Sequence, residues 1–139
     1  MNALLSGETF SVFGDGNQSR DFTFVEDAVA ATRSAMDKAP RGATYNVGGG
    51  SEATLRDVIS TLEELGSRSL SVSYKDPAAG DVRRTLADTA RIRSEVAWQP
   101  QFDLRAGLEK QLAAAVSEQC RPSQAPIDTG TRRDESGPR

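Results

Sequence analysis

Histidine is absent from this 139-residue chain. Its absence excludes Ser-His-Asp and Cys-His catalysis, histidine general bases and most catalytic zinc sites, since each needs an imidazole. Cysteine occurs once, at Cys120, so no disulfide closes within the chain. The opening MNALLSGE has neither a basic start nor a long apolar region, and no apolar run reaches membrane-spanning length. The expectation is a cytoplasmic protein with no membrane partner. A net charge of −3 and a pI near 5.0 argue against a nucleic-acid surface. Any chemistry here must use carboxylates, Lys, Arg, Tyr or a bound cofactor.

Apolar residues make up 37% of the chain and mean hydropathy is −0.51, a polar balance that predicts an unstructured portion. The length suits one core and not two. Thr9–Phe13 reads as a strand, followed by a Gly14-Asp15-Gly16 turn and a β-rich Arg20–Val25. Glu26 and Asp27 open a helix in which Val25, Val29, Thr32 and Met36 recur at helical spacing, and Pro40-Arg41-Gly42 closes it. Ala43–Val47 predicts a short buried strand ended by Gly48-Gly49-Gly50.

Thr54 with Asp57 three residues on is a capping-box variant. It opens a helix with a Leu55, Val58, Ile59, Leu62, Leu65 stripe, stopped at Gly66. Leu70–Tyr74 alternates like a half-buried strand, and Lys75–Thr85 forms a charged loop. Asp88 caps a short helix, Trp98-Gln99-Pro100 bends the chain, and Asp103 caps a last helix carrying Leu104, Leu108, Leu112, Ala115 and Val116. The order β-α-β-α-β-α-α is a small α/β unit over residues 1–116, and the Ser-, Pro- and Gly-rich 117–139 reads as a disordered tail.

Gly14-x-Gly16-x-x-Ser19 approaches a dinucleotide fingerprint, but that motif needs its glycines to open a helix directly. Asn17, Gln18 and β-type residues follow instead, so the stretch reads as a tight glycine turn. Arg20 suits a bidentate phosphate grip, against the plainer reading of a surface arginine paired with Asp21 or Asp27. Gly48–Gly50 and the Asp81, Arg83, Arg84 cluster each have an equally plain reading, as a flexible connection and a solvated charge group. Tyr45 and Tyr74 lack a lysine four residues on and read as packing residues.

Four blocks taken in order carry a resemblance. They are VFGDGNQSRDFTFVED (12–27), YNVGGG (45–50), GDVRRTLAD (80–88) and Trp98-Gln99-Pro100. Residues 7 to 116 resemble the extended short-chain dehydrogenase/reductase family of NAD-dependent nucleotide-sugar epimerases and dehydratases, UDP-glucose 4-epimerase-like. The resemblance covers only the family's carboxy-terminal, substrate-binding part. Its Rossmann half, with the glycine-rich loop, the catalytic Ser/Thr and Tyr-x-x-x-Lys, has no counterpart here.

The resemblance implies the family's α/β substrate-binding fold without the Rossmann half, and NAD held by that missing half. It assigns no catalytic, cofactor-binding or metal-ligating residue to this chain. It places a UDP- or dTDP-sugar against Phe10 and Phe13 at the base, Arg20 at the diphosphate, Asn46 near a phosphate and Asp81 at the ribose. The family's arginine three residues before that aspartate is Ala78 here, leaving Arg83 or Arg84 to stand in. Two readings follow: a piece of such an enzyme, inactive alone, or a free-standing non-catalytic nucleotide-sugar-binding module. A separate Rossmann half or a second copy are the protein partners it implies. The family's helix after Val25 packs on the Rossmann half, so the chain alone is expected to expose an apolar patch there.

Overall fold

The computed structural model describes residues 1–119. A short α1 (Asn2–Ser6) leads to β1 (Phe10–Phe13), β2 (Ser19–Asp21) and α2 (Val25–Lys38). Next come β3 (Glu52–Thr54), α3 (Leu55–Gly66), β4 (Val72–Lys75), α4 (Ala90–Val96) and α5 (Leu104–Gln119). Among the described residues the strands form two small sheets. β1 pairs in parallel with β4, with Val12 opposite Tyr74, and β2 pairs antiparallel with β3, with Arg20 opposite Ala53.

The strand expected at Ala43–Val47 does not form. The segment belongs to no helix or strand, and the partner of β2 is Glu52–Thr54. β propensity marks a chain that accepts pairing; a neighbouring edge must supply it. The tail expectation also shifts, since α5 runs through Gln119 and past residue 116. The remainder of the 117–139 segment lies outside the described residues.

Local chemistry explains α3. Thr54 accepts from the Asp57 amide at 3.1 Å while the Asp57 carboxylate accepts from the Thr54 amide at 2.8 Å. The helix ends on Ser67, in the left-handed region at φ 50°. Gly66, its last residue, lets α1 close in, because a Cβ there would lie 2.8 Å from Leu4 Cδ2. Leu4, Val12 and Leu62 are buried.

The other core cluster is Ala31, Ile92, Val96 and Trp98, with Tyr45 packed against it. Ile92 and Val96 are four apart on α4, so both reach α2, and each such buried side chain contributes roughly 1.5–3 kcal/mol of transfer free energy. Trp98 is buried in this cluster, next to the bend at Pro100. The inward face of α2 carries a small and an acidic residue. Asp27 and Ala31 are buried, whereas Val25, Val29 and Met36 are exposed, Met36 at 80%. The apolar patch anticipated on this helix is therefore present.

Candidate functional site

The site is built at the carboxyl ends of β1 and β4. Gly14 and Gly16 take φ of 82° and 77°, which L side chains rarely adopt, so the turn after β1 reverses tightly. Asp15 closes it as an Asx turn, its carboxylate accepting from the Asn17 amide at 2.9 Å and the Asn17 side chain at 2.8 Å. The Asn17 backbone bond, foremost, holds the Asp15 carboxyl below its ordinary pKa. The chain then enters β2 and not a helix, and the next helix starts at Val25. The Gly14–Gly16 turn therefore offers no helix amides to a pyrophosphate and does not fit a dinucleotide loop.

Arg20 sits on β2 and reaches across to the loop after β4. One of its terminal nitrogens lies 2.6 Å from Asp81 Oδ1, and the other donates to the Ser19 carbonyl at 2.8 Å. Neither Asp21 nor Asp27 is its partner. Asp21 instead accepts from the amides of Gly50 at 3.2 Å and Ala87 at 3.1 Å. Gly48 and Gly49 lie so close that an added Cβ would overlap the Asp21 carboxylate at one and the Phe22 carbonyl at the other. The triple glycine is thus a close-packing device on Asp21.

Two adjoining depressions flank the Arg20–Asp81 pair. One, of about 610 Å³, has Phe13, Arg20, Phe22 and the 78–81 turn in its wall. The other, of about 690 Å³, is lined in part by Phe13, Arg56, Tyr74, Lys75 and Arg83. Phe13, Gln18, Ala78 and Asp81 belong to both. Three of the sequence-derived residues therefore converge: Phe13, Arg20 and Asp81. The other three lie apart. Phe10 precedes Phe13 by an odd number of strand positions and so takes the opposite face. Asn46 donates to the Asp88 carbonyl at 3.4 Å, near the start of α4. Arg84 pairs with Glu52, its Nε 2.6 Å from Oε1. That hydrogen bond is the main cause lowering the Glu52 carboxyl and raising the Arg84 guanidinium from their ordinary pKa values.

Arg56 and Tyr74 were missed by sequence reasoning. Arg56 Nε donates to the Asp15 carbonyl at 2.8 Å, and its guanidinium carbon lies 5.6 Å from the Tyr74 ring centroid. A signal was available: a cation in the first turn of α3 sits at the positive end of the helix dipole, where it is disfavoured without a partner. Tyr74 is half exposed in the pocket wall and is not a packing residue. Tyr45 is one, with its hydroxyl donating to Glu95 at 2.7 Å. Among the described residues no group of three or more His, Cys, Asp or Glu is placed to hold a metal, and no helix is long and apolar enough to cross a membrane.

Comparison with known proteins identifies the family. The family model described as GDP-mannose 4,6 dehydratase matches residues 1–111. The UDP-glucose 4-epimerase of Mycolicibacterium smegmatis is 37% identical over 108 residues, covering 78% of this chain and 34% of that protein. The dTDP-glucose 4,6-dehydratase of Haemophilus influenzae is 37% identical over 122 residues, covering 78% of this chain and 36% of its own length. Among solved structures, MoeE5 in complex with UDP-glucose and NAD matches with a TM-score of 0.81 at 34% identity, over 85% of this chain and 40% of that one. The UDP-glucose 4-epimerase of Thermotoga maritima with UDP-glucose matches with a TM-score of 0.78 at 30% identity, over 85% of this chain and 38% of that one. This chain thus spans about a third of the length of the curated relatives it matches. The chain belongs to the GDP-mannose 4,6 dehydratase family, within the extended short-chain dehydrogenase/reductase epimerases and dehydratases, and matches their carboxy-terminal part.

Proposed function

We propose that this chain forms the nucleotide-diphosphate-binding surface of a nucleotide-sugar epimerase or dehydratase. The observation that carries the reading is the Arg20–Asp81 pair, 2.6 Å long, set between two depressions that share Phe13. A half-exposed phenylalanine offers a flat face to a pyrimidine. A guanidinium offers a bidentate fork to phosphate, and a carboxylate accepts from ribose hydroxyls. Asp81 uses one oxygen on Arg20, which sets the direction of the fork before ligand arrives. Of the other residues the resemblance nominates, Phe10 takes the opposite face of β1, Asn46 lies near the start of α4 and Arg84 is held on Glu52, so none of the three is given a ligand contact here.

On this reading the chain binds a UDP- or dTDP-sugar and does not catalyse by itself. The position four residues after Tyr45 is Gly49 and that after Tyr74 is Ala78, so neither tyrosine has the lysine of a Tyr-x-x-x-Lys pair. The nicotinamide cofactor of the relatives would supply hydride chemistry from residues outside this chain. The two partner readings stand with it: an amino-terminal Rossmann half, or a second copy. Thermal unfolding of the purified chain with UDP, dTDP, UDP-glucose and AMP tests the proposal. Ligand at about 100 times its Kd stabilises by about 2.7 kcal/mol, and the first three should raise the Tm where AMP does not. An unchanged Tm with all four at millimolar concentration would sink it.

A further inference from the structure

The charges around the proposed nucleotide site do not balance if Arg20 acts alone. Asp81 already neutralises it at 2.6 Å, so the pair presents no net charge to an incoming diphosphate. A second cation is needed. Four others lie near, and their commitments differ. Arg84 is bound to Glu52, which also accepts from the Ser19 hydroxyl at 3.0 Å. Arg56 holds the Asp15 carbonyl and covers Tyr74. Lys75 Nζ lies 5.8 Å from the Phe13 ring centroid. Arg83 lines the larger depression and, among the described residues, its side chain makes no hydrogen bond or ion pair, although its charge helps hold down the Asp15 carboxyl in the same wall.

Backbone pairing explains why two adjacent arginines behave differently. Ser19 and Arg84 form a parallel bridge, flanked by hydrogen bonds from the Ser19 amide to the Arg83 carbonyl and from the Thr85 amide to the Ser19 carbonyl, at 2.9 and 3.2 Å. Along an extended strand, successive side chains take opposite faces. Arg84 therefore shares the face of Ser19 and meets Glu52. Arg83 takes the other face and borders the cavity with Asp81 and Ala78. The backbone bridge fixes where Arg83 stands, and the Arg84 side chain adds a separate tie to β3 through Glu52.

We infer that Arg83 is the second phosphate-binding cation of this site, and that Arg84, held on Glu52, is not. The inference rests on the nucleotide reading above and sharpens it by separating two neighbours that the sequence treats as equivalent. Arg83 is exposed, so its truncation leaves the core untouched.

Calorimetric titration with UDP and with uridine separates phosphate recognition from base recognition. Losing a hydrogen-bonded charge contact costs about tenfold or more in affinity, so Arg83→Ala should lower the UDP-to-uridine affinity ratio by about tenfold. Uridine binding itself should stay within about twofold. Arg84→Ala should lower the Tm through loss of the Glu52 contact, and leave the UDP-to-uridine ratio within about twofold. A ratio unchanged in Arg83→Ala, or one that falls in Arg84→Ala instead, would overturn the assignment while leaving the nucleotide reading intact. If the unmodified chain binds neither UDP nor uridine, the nucleotide reading fails and this one with it.

Discussion

Asp27 joins the two ends of the fold, and its removal is the sharpest test of how the helices are held. It lies in the first turn of α2 and is 1% exposed. Its two oxygens accept from the amides of Gln101 at 2.8 Å and Phe102 at 3.1 Å, just before α5 begins. Hydrogen bonds to a charged group are worth about 1.5–3 kcal/mol each, and a buried amide left without a partner adds to the loss. Relief of carboxylate desolvation offsets part of this, so Asp27→Ala should cost about 3 kcal/mol. For a chain of this size that corresponds to a Tm lower by about 10 °C. Asp27→Asn keeps one acceptor and should lose about half as much. Glu26→Ala, next in sequence, removes only an exposed ion pair to Lys110 and should cost about 0.5 kcal/mol. Urea unfolding followed by circular dichroism reads all three, with a lower midpoint and an unchanged slope. A loss below about 1 kcal/mol for Asp27→Ala, or equal losses for Ala and Asn, would refute the two-amide account.

Acid should lower the stability of the chain. Asp15, Glu52, Asp57 and Glu95 are all held below their ordinary values, foremost by the Asn17 amide, Arg84, the Thr54 side chain and Arg91 respectively. Each binds its proton less tightly when folded, so the stabilisation is complete above the ordinary values of 3.8 and 4.5 and is lost as pH falls below them. Urea midpoints should therefore fall steadily from about pH 5 downward, and equal midpoints at pH 7 and about pH 3.5 would contradict the hydrogen-bond and ion-pair geometry of these carboxylates. Gly48→Ala should destabilise markedly, because its Cβ would overlap the Asp21 carboxylate and come 2.7 Å from Ala87 Cβ. A variant that melts with the parent chain would show that this packing is not tight.

Legibility in the sequence followed the range of the forces involved. The α3 start was readable because Thr54 and Asp57 satisfy each other within one turn. Asp103, for the same reason, accepts from the Ala106 amide at 2.8 Å, as expected of a cap. The inward face of α2 was not readable. Periodicity selects the Val25, Val29, Met36 stripe, yet the core takes Ala31 and Asp27, and the sequence gives no sign that Asp27 finds amides 74 and 75 positions away. Ala43–Val47 carries strand-forming residues, but pairing depends on an edge that local sequence cannot supply. Within the site, Arg20 and Asp81 were nominated by resemblance, and only the fold makes them partners across 61 residues. The split between Arg83 and Arg84 depends on a single backbone bridge and has no counterpart in composition or spacing.

The most direct test of the nucleotide-binding claim is an amide chemical-shift titration of the isotopically labelled chain with UDP-glucose. The account predicts saturable shifts confined to the end of β1, the Gly14–Gln18 turn, Arg20, and the 78–84 loop. Shifts clustered on the exposed Val25–Met36 face of α2, or none at millimolar ligand, would contradict it.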